Sequence, residues 1–316
     1  MAVAEASATP ATTAAPPAKA SRARWLVVLV PYLWLLILFL IPFVIVIKIS
    51  LSATAVAQPP YEPTFDLAAG LAAILDKIRQ FSLDNYQFLT EDALYIRAYL
   101  SSLEIAVLST FLTLLVGYPI AYGMARAPRA WQPTLVMLVI LPFWTSFLIR
   151  VYAWINILQR DGLLNDVLMR LHLIDAPRAW LASDTAIYIG VVYSYLPFMV
   201  LPLYASLEKM DESLLEAAAD LGAPRWKAFW LVTVPLSASG IIAGVLLCFI
   251  PIAGEFVIPD LLGGSDALMI GQTLWTEFFQ NKDWPVESAV AIALLVILLA
   301  PILIYQHLQM RAVEDR

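Results

Sequence analysis

Carboxylates are scarce in the apolar stretches of this chain, and the few that occur are the residues with chemistry to offer. Glu104, Glu255 and Glu287 lie within or at the ends of long hydrophobic runs, and Asp260 and Glu277 follow the fifth such run. A charged side chain at bilayer depth costs about 2.5–3.5 kcal/mol on insertion scales, so each asks for a partner or a role. Carboxylates can hold a cation, and aromatic faces add cation–π attraction and cover methylenes. Trp144 and Tyr152, close to Arg150, and Tyr195, which shares a helix face with Tyr188 seven residues earlier, are placed to join such a path. The substrate-path candidates are therefore Glu255, Asp260, Trp144, Tyr152, Tyr195 and Glu277. Structural alternatives stand beside them. Glu104 can pair with Arg150, Glu287 suits the positive end of a helix dipole, and Tyr188 with Tyr195 can simply pack. Glu255 follows Gly254 between Pro251 and Pro259, where a helix is expected to break and expose carbonyls to a cavity; it can line a path or make a structural pair.

Nothing in the pattern suits bond-making chemistry, and no catalytic or metal-binding residue is assigned. His172 and His307 are far apart, which disfavours zinc. Cys248, the one cysteine, sits in an apolar run, so no disulfide forms within the chain. The net charge of -6 suggests no nucleic-acid partner.

The elements that must position these residues are membrane helices. Of the 316 residues, 61% are hydrophobic and 14% charged, a balance far from that of a soluble domain. Residues 1–24, rich in Ala, Thr and Pro, read as a disordered cytoplasmic tail. The uncharged run from Trp25 to Ile47 is long enough to span; a signal peptide with an Ala55-Val56-Ala57 cleavage site competes, but the apolar region is too long for one. The first transmembrane helix is taken as 25–49 and residues 50–97 as a periplasmic segment, with a short amphipathic helix over Asp66–Arg79 that ends near Phe81–Tyr86. Five further spans fill residues 98–309, near Tyr99–Met124, Trp131–Ile155, Thr185–Leu207, Leu236–Pro259 and Val286–Gln309, with Pro142 interrupting the second of these. Residues 260–285 are expected as a loop and 310–316 as a cytoplasmic tail. The count of Lys and Arg modestly favours both termini inside.

One polar break carries an ordered motif. Within 208–235, Glu216-Ala217-Ala218 is followed by Gly222 and then by Val232-Thr233-Val234-Pro235. Ser213 and Glu216 have the spacing of a capping box, and Asp211 is an equally good N-cap. The alanines are helix formers that allow close approach. Gly222 supplies the positive φ that ends the helix, and Pro224 prevents its continuation. Gly240 and Gly244 then form a small-xxx-small pattern suited to close helix packing.

That spacing resembles the Glu-Ala-Ala loop of bacterial ABC-importer permeases. Pro142–Tyr152, Leu196–Pro202, Gly254–Pro259 and Asp283-Trp284-Pro285 resemble the polyamine branch of that family, with most likeness to the first permease subunit of a putrescine importer. The resemblance implies an all-α integral membrane protein of six transmembrane helices with the type I importer permease (MetI-like) fold. It implies that Glu216, Ala217, Ala218, Gly222 and Pro235 couple to an ATPase. It also implies a sister permease in a heterodimer, two ATP-binding subunits, a periplasmic polyamine-binding protein and a bacterial inner-membrane location. The chain has no GxxxxGK[ST] phosphate loop, so no cofactor is expected in this subunit, and ATP with Mg belongs to the partner ATPase. Rival classes are an ABC permease for another small solute, a self-contained secondary transporter or channel, and a membrane scaffold.

Overall fold

A computed structural model describes residues 22–65, 75–264 and 267–314. Residues 1–21 of the tail expected over 1–24, and most of the amphipathic segment that begins at Asp66, lie outside these residues. The chain divides into two compact units, Met1–Lys48 and Ile49–Arg316.

In the first, helix α1 (Arg22–Leu35) passes through a widened π turn at Leu36–Leu40 into α2 (Ile41–Ser50). The helix thus starts at Arg22, inside the expected tail. Pro42 has no N–H to offer the ladder, and the widened turn lies directly before it. Val28–Ser50 is long and apolar enough to cross a membrane.

The second unit opens with a small antiparallel hairpin, β1 (Ala53–Thr54) with β2 (Tyr61–Glu62). Helix α3 (Asp84–Glu91) then begins where a preceding helix was expected to end. The Asn85 amide donates to the Ser50 and Ser52 carbonyls, at 2.8 Å each, and ties α3 to the chain entering the hairpin. Helix α4 (Ala93–Ala125) starts six residues before the expected span because the Asp92 carboxylate caps it, accepting the Leu94 N–H at 2.8 Å.

The expected span over Trp131–Ile155 is not one helix. Helix α5 (Gln132–Ile140) tightens into a 3₁₀ turn at Leu141–Trp144, and α6 (Phe147–Leu158) leaves at 89° to it. Pro142 removes a ladder donor, so the bend comes before Arg150. The short helix α7 (Leu163–Arg170) precedes α8 (Asp184–Glu208), which keeps Pro197 and Pro202 inside an unbroken run.

Helices α4, α8 and α12 (Ala238–Ala253) form the core, with Ala121, Met199, Val200, Leu203, Cys248 and Ile252 buried among them. Gly240 and Gly244 are required by closeness. A Cβ at Gly240 would lie 2.8 Å from the Pro202 carbonyl oxygen, and one at Gly244 3.2 Å from that of Met199. The small-xxx-small pattern packs α12 directly on the α8 backbone.

Between α8 and α12 lie α9 (Ser213–Asp220), α10 (Arg225–Ala228), a π turn at Phe229–Thr233 and α11 (Val234–Leu236). The segment Arg225–Leu236 meets α12 at 65°. After α12 come α13 (Val257–Leu262), α14 (Ile270–Thr276), a π turn at Glu277–Asn281 and α15 (Trp284–Glu314). The stretch expected as a loop over 260–285 is therefore largely helical. The expected tail from 310 is helical to Glu314.

Among the described residues, three helices are long and apolar enough to cross a membrane, or up to five if each bent pair is one span, and α15 adds the shorter apolar stretch Trp284–Ala300.

Candidate functional site

Two ends of α12 carry the candidate residues. At its start, α9 presents Glu216 and Ala217 to solvent, with Ala218 half-buried. Its N-terminus is capped by the Asp211 carboxylate, which accepts the Ser213 N–H at 2.9 Å. The Ser213–Glu216 capping box is not formed, because Asp211 already holds the first turn. That bond keeps the Asp211 carboxyl below the ordinary carboxylate range.

Helix α9 ends in a Schellman motif. Ala223 N–H donates to the Ala218 carbonyl at 3.0 Å and Gly222 N–H to that of Ala219 at 2.8 Å. Gly222 has φ +79°, and no atom of the described residues is recorded within 4 Å of where its Cβ would be. Backbone angle, not space, requires glycine there.

Leu221, beside this elbow, is 89% exposed.

Two links join this segment to α4. Arg126, at the end of α4, meets Glu212 at 2.6 Å. Phe229, at the start of the π turn, sets its ring edge-on to both Tyr118 and Tyr122, with centroids 5.6 and 5.7 Å away. The Tyr118 hydroxyl also lies 2.9 Å from Ser237 Oγ, at the 65° bend. Pro235 is exposed between them and, lacking an N–H, follows the widened turn as Pro42 does.

At the other end of α12 the helix breaks at Gly254–Phe256. Glu255 does not hang free. Its Oε2 accepts the Tyr195 hydroxyl proton at 2.6 Å, and its Oε1 accepts the Phe256 and Val257 N–H groups at 3.2 and 3.0 Å. The carboxylate thereby caps α13 and binds it to α8. The carbonyls of Gly254 and Glu255 face Gly271 of α14, where a Cβ would lie 2.5 and 2.8 Å from them. The expectation that they open onto a cavity is corrected by this close passage of α14.

Beyond the break, aromatic rings run in a row. Phe256 stacks on Trp275 at 5.0 Å and 12°, and Trp275 meets Phe279 at 4.1 Å. Phe279 touches Phe278, which stacks on Trp284 at 5.3 Å and 5°. Trp275 and Phe279 expose 44% and 54% of their surface. Asp260 is exposed on α13, one turn on from Phe256, and accepts the Gln272 amide at 3.2 Å from the helix that carries Trp275. A carboxylate next to open π faces suits an organic ammonium.

The other predicted residues fall apart from this row. Glu277 is buried, holding the Tyr95 hydroxyl and the Asn281 amide, both at 2.9 Å, so it joins α4 to the π turn. Trp144 and Tyr152 are exposed on the two sides of the α5–α6 bend. Among the described residues Arg150 makes no ion pair with Glu104. Its guanidinium instead lies over the rings of Phe143 and Phe147, at 5.1 and 5.7 Å. Glu287 is half-buried at the start of α15 beside Ser288.

Sequence reasoning missed Phe256, Trp275, Phe279, Arg126 and Glu212. The run Trp275-Thr276-Glu277-Phe278-Phe279 carries aromatics at i, i+3 and i+4, a helical pattern that could have replaced the loop expectation. The Arg126–Glu212 pair joins residues 86 apart and leaves no local signal.

Residues 114–313 match the family described as the binding-protein-dependent transport system inner membrane component. The spermidine/putrescine transport system permease protein PotB of Escherichia coli K12 is 43% identical over 225 residues, which cover 71% of this chain and 82% of the relative. PotB of Haemophilus influenzae is 42% identical over 224 residues, 71% of this chain and 78% of the relative. A chain in the crystal structure of a bacterial ABC transporter involved in alginate import superposes with a TM-score of 0.66 at 17% identity, covering 92% of this chain and 96% of that one. The same transporter is also known in complex with a periplasmic protein that carries an alginate pentasaccharide.

Proposed function

The chain belongs to the family of binding-protein-dependent transport system inner membrane components, and from that premise we propose that it is the polyamine-translocating permease subunit of an ATP-driven importer, with putrescine as its solute. As in the rest of the family, its role is that of an integral inner-membrane transport component and not of an enzyme.

The observation that carries the solute class is the aromatic row of Phe256, Trp275 and Phe279 beside the exposed Asp260 carboxylate, in a chain whose relatives bear spermidine and putrescine in their names. A polyamine is a flexible chain of methylenes between ammonium groups. Asp260 would take one ammonium, and the ring faces would take the methylenes and add cation–π attraction. The row bears directly on uptake. Glu255 acts one step back, fixing the break that aims Phe256.

The mechanism is alternating access driven from outside the chain. Six spans, with both termini cytoplasmic, pair with those of a sister permease. A loaded periplasmic binding protein docks on the outer loops. Two ATP-binding subunits, which hold the ATP and Mg, close on nucleotide and carry α9 with them through Glu216, Ala217, Ala218 and the Gly222 elbow. Motion of α9 passes to α4 through Arg126–Glu212 and the Phe229 ring, and to α12 through the bend at Pro235–Ser237. The exposed helix, its Leu221 tip and its ties to α4 support this route.

The test is uptake of labelled putrescine in cells that express the whole importer, with unlabelled spermidine as competitor. Putrescine saturating at lower concentration than spermidine supports the solute. Uptake of neither, with the importer assembled, rejects the polyamine reading.

A further inference from the structure

We propose that Arg150 is the receptor for a carboxylate supplied by the sister permease subunit, so that the cavity around it is an intersubunit contact and not the seat of the solute. This rests on the reading of the chain as one half of a paired permease.

Arg150 lines an open cavity of about 640 Å³ whose other walls include Phe143, Phe147, Phe198, Leu247 and Pro251. Ser194, Tyr195 and Phe198 on its α8 wall stand at the middle of a 25-residue helix, roughly 15–20 Å from either end at 1.5 Å per residue. A lipid phosphate at the surface of a bilayer does not reach that depth.

Yet the guanidinium is poorly met. Its Nε and Nη1 atoms are buried and, among the described residues, have no hydrogen-bond partner. Its neighbours are the π faces of Phe143 and Phe147. Among the described residues that line the cavity there is no acid; Glu255 touches its wall through Tyr195 and is already filled by that hydroxyl and two backbone N–H groups.

A guanidinium is always charged, and its planar fork matches a carboxylate. Left unpaired in an apolar span it is unfavourable, and an acid from a neighbouring helix is one of the partners that such residues take. A dicationic solute cannot be the partner, since like charges repel. An acidic side chain from a second set of helices entering the open cavity can.

The test uses the full importer, with this chain tagged and co-expressed with its sister permease and ATPase. The readout is recovery of the sister permease with the tagged chain after mild detergent extraction, alongside the membrane level of the tagged chain. Arg150→Glu is expected to lower sister recovery about tenfold or more, because like charges then meet across the contact, while Arg150→Lys keeps most of it. Arg is then placed at each intramembrane acid of the sister subunit in the Arg150→Glu background. Restored recovery at one of them identifies the partner. Full recovery with Arg150→Glu alone overturns the proposal. So does rescue by Glu255→Arg in this chain in place of any sister position, which makes the pair internal. If the unaltered chain recovers no second permease at all, the paired-permease reading fails first, and that result is distinct from both.

Discussion

At the residue scale, two carboxylates that look alike in the sequence have different work. Asp260 is exposed, with one amide contact, and Glu255 is held by three donors. Asp260→Asn removes the charge and keeps the shape. Putrescine uptake is expected to fall severalfold with assembly unchanged, because an exposed charge pair contributes about 1 kcal/mol or less; normal uptake would remove Asp260 from the path. Glu255→Gln still offers an oxygen to Tyr195 or to the α13 N–H groups but loses the charge-assisted strength of both. It is expected to lower uptake and transport-coupled ATP turnover together while the importer still assembles, and an unchanged uptake rate would end its role. Tyr195→Phe, which removes only the hydroxyl at 2.6 Å, should reproduce part of that effect, with assembly likewise unchanged.

At the element scale, α9 and its elbow are shaped by angle and α12 by closeness. Gly222→Ala has room for its methyl but not a favoured φ, so it costs about 1–2 kcal/mol locally and is expected to reduce coupling modestly. Gly222→Pro cannot take φ +79° and also removes the N–H bonded to Ala219. It should uncouple ATP turnover from uptake while the protein stays in the membrane. Measuring both rates in one preparation checks this, and normal coupled import by Gly222→Pro refutes the elbow. Arg126→Ala breaks a pair whose Glu212 side is 73% exposed, so stability should change by only about 0–1 kcal/mol while coupling falls. Gly244→Val, in contrast, pushes against the α8 backbone at Met199. It is expected to cost about 1–3 kcal/mol or more of packing, read as lower thermal stability in detergent. The Asp211 cap adds a pH dependence of known sign. Because its carboxyl is held below the usual range, its stabilising bond is complete above that range and is lost only as pH falls through the lowered value. Neutral-pH coupling is therefore insensitive to it.

At the scale of the whole molecule, the proposed permease is one part of an importer that is driven from outside this chain. Reconstituted alone it is expected to show neither ATP hydrolysis nor concentrative putrescine uptake, and both should appear on adding the sister permease, the ATPase and the binding protein. Concentrative uptake by the purified chain under an ion gradient would favour a secondary transporter instead. A permease shape is compatible with many solutes, as the alginate transporter at 17% identity illustrates, so the solute is decided at the residue scale and not by the fold.

Much of this was legible in the chain itself. Hydrophobic runs fix helices because a backbone in lipid must bond to itself, and Gly222 and Pro224 fix the end of α9 because conformational preference is local. The Gly240 and Gly244 spacing likewise announced close packing. Tertiary contact decided the rest. The 89° bend places Arg150 over two phenylalanine rings and away from Glu104, Glu277 turns inward to Tyr95, and Phe256 meets Trp275 across 19 residues of sequence. The pairings of Glu277 with Tyr95 and of Phe256 with Trp275 have no local signal, since a side chain's partner across space is set by how helices pack and not by its neighbours along the chain.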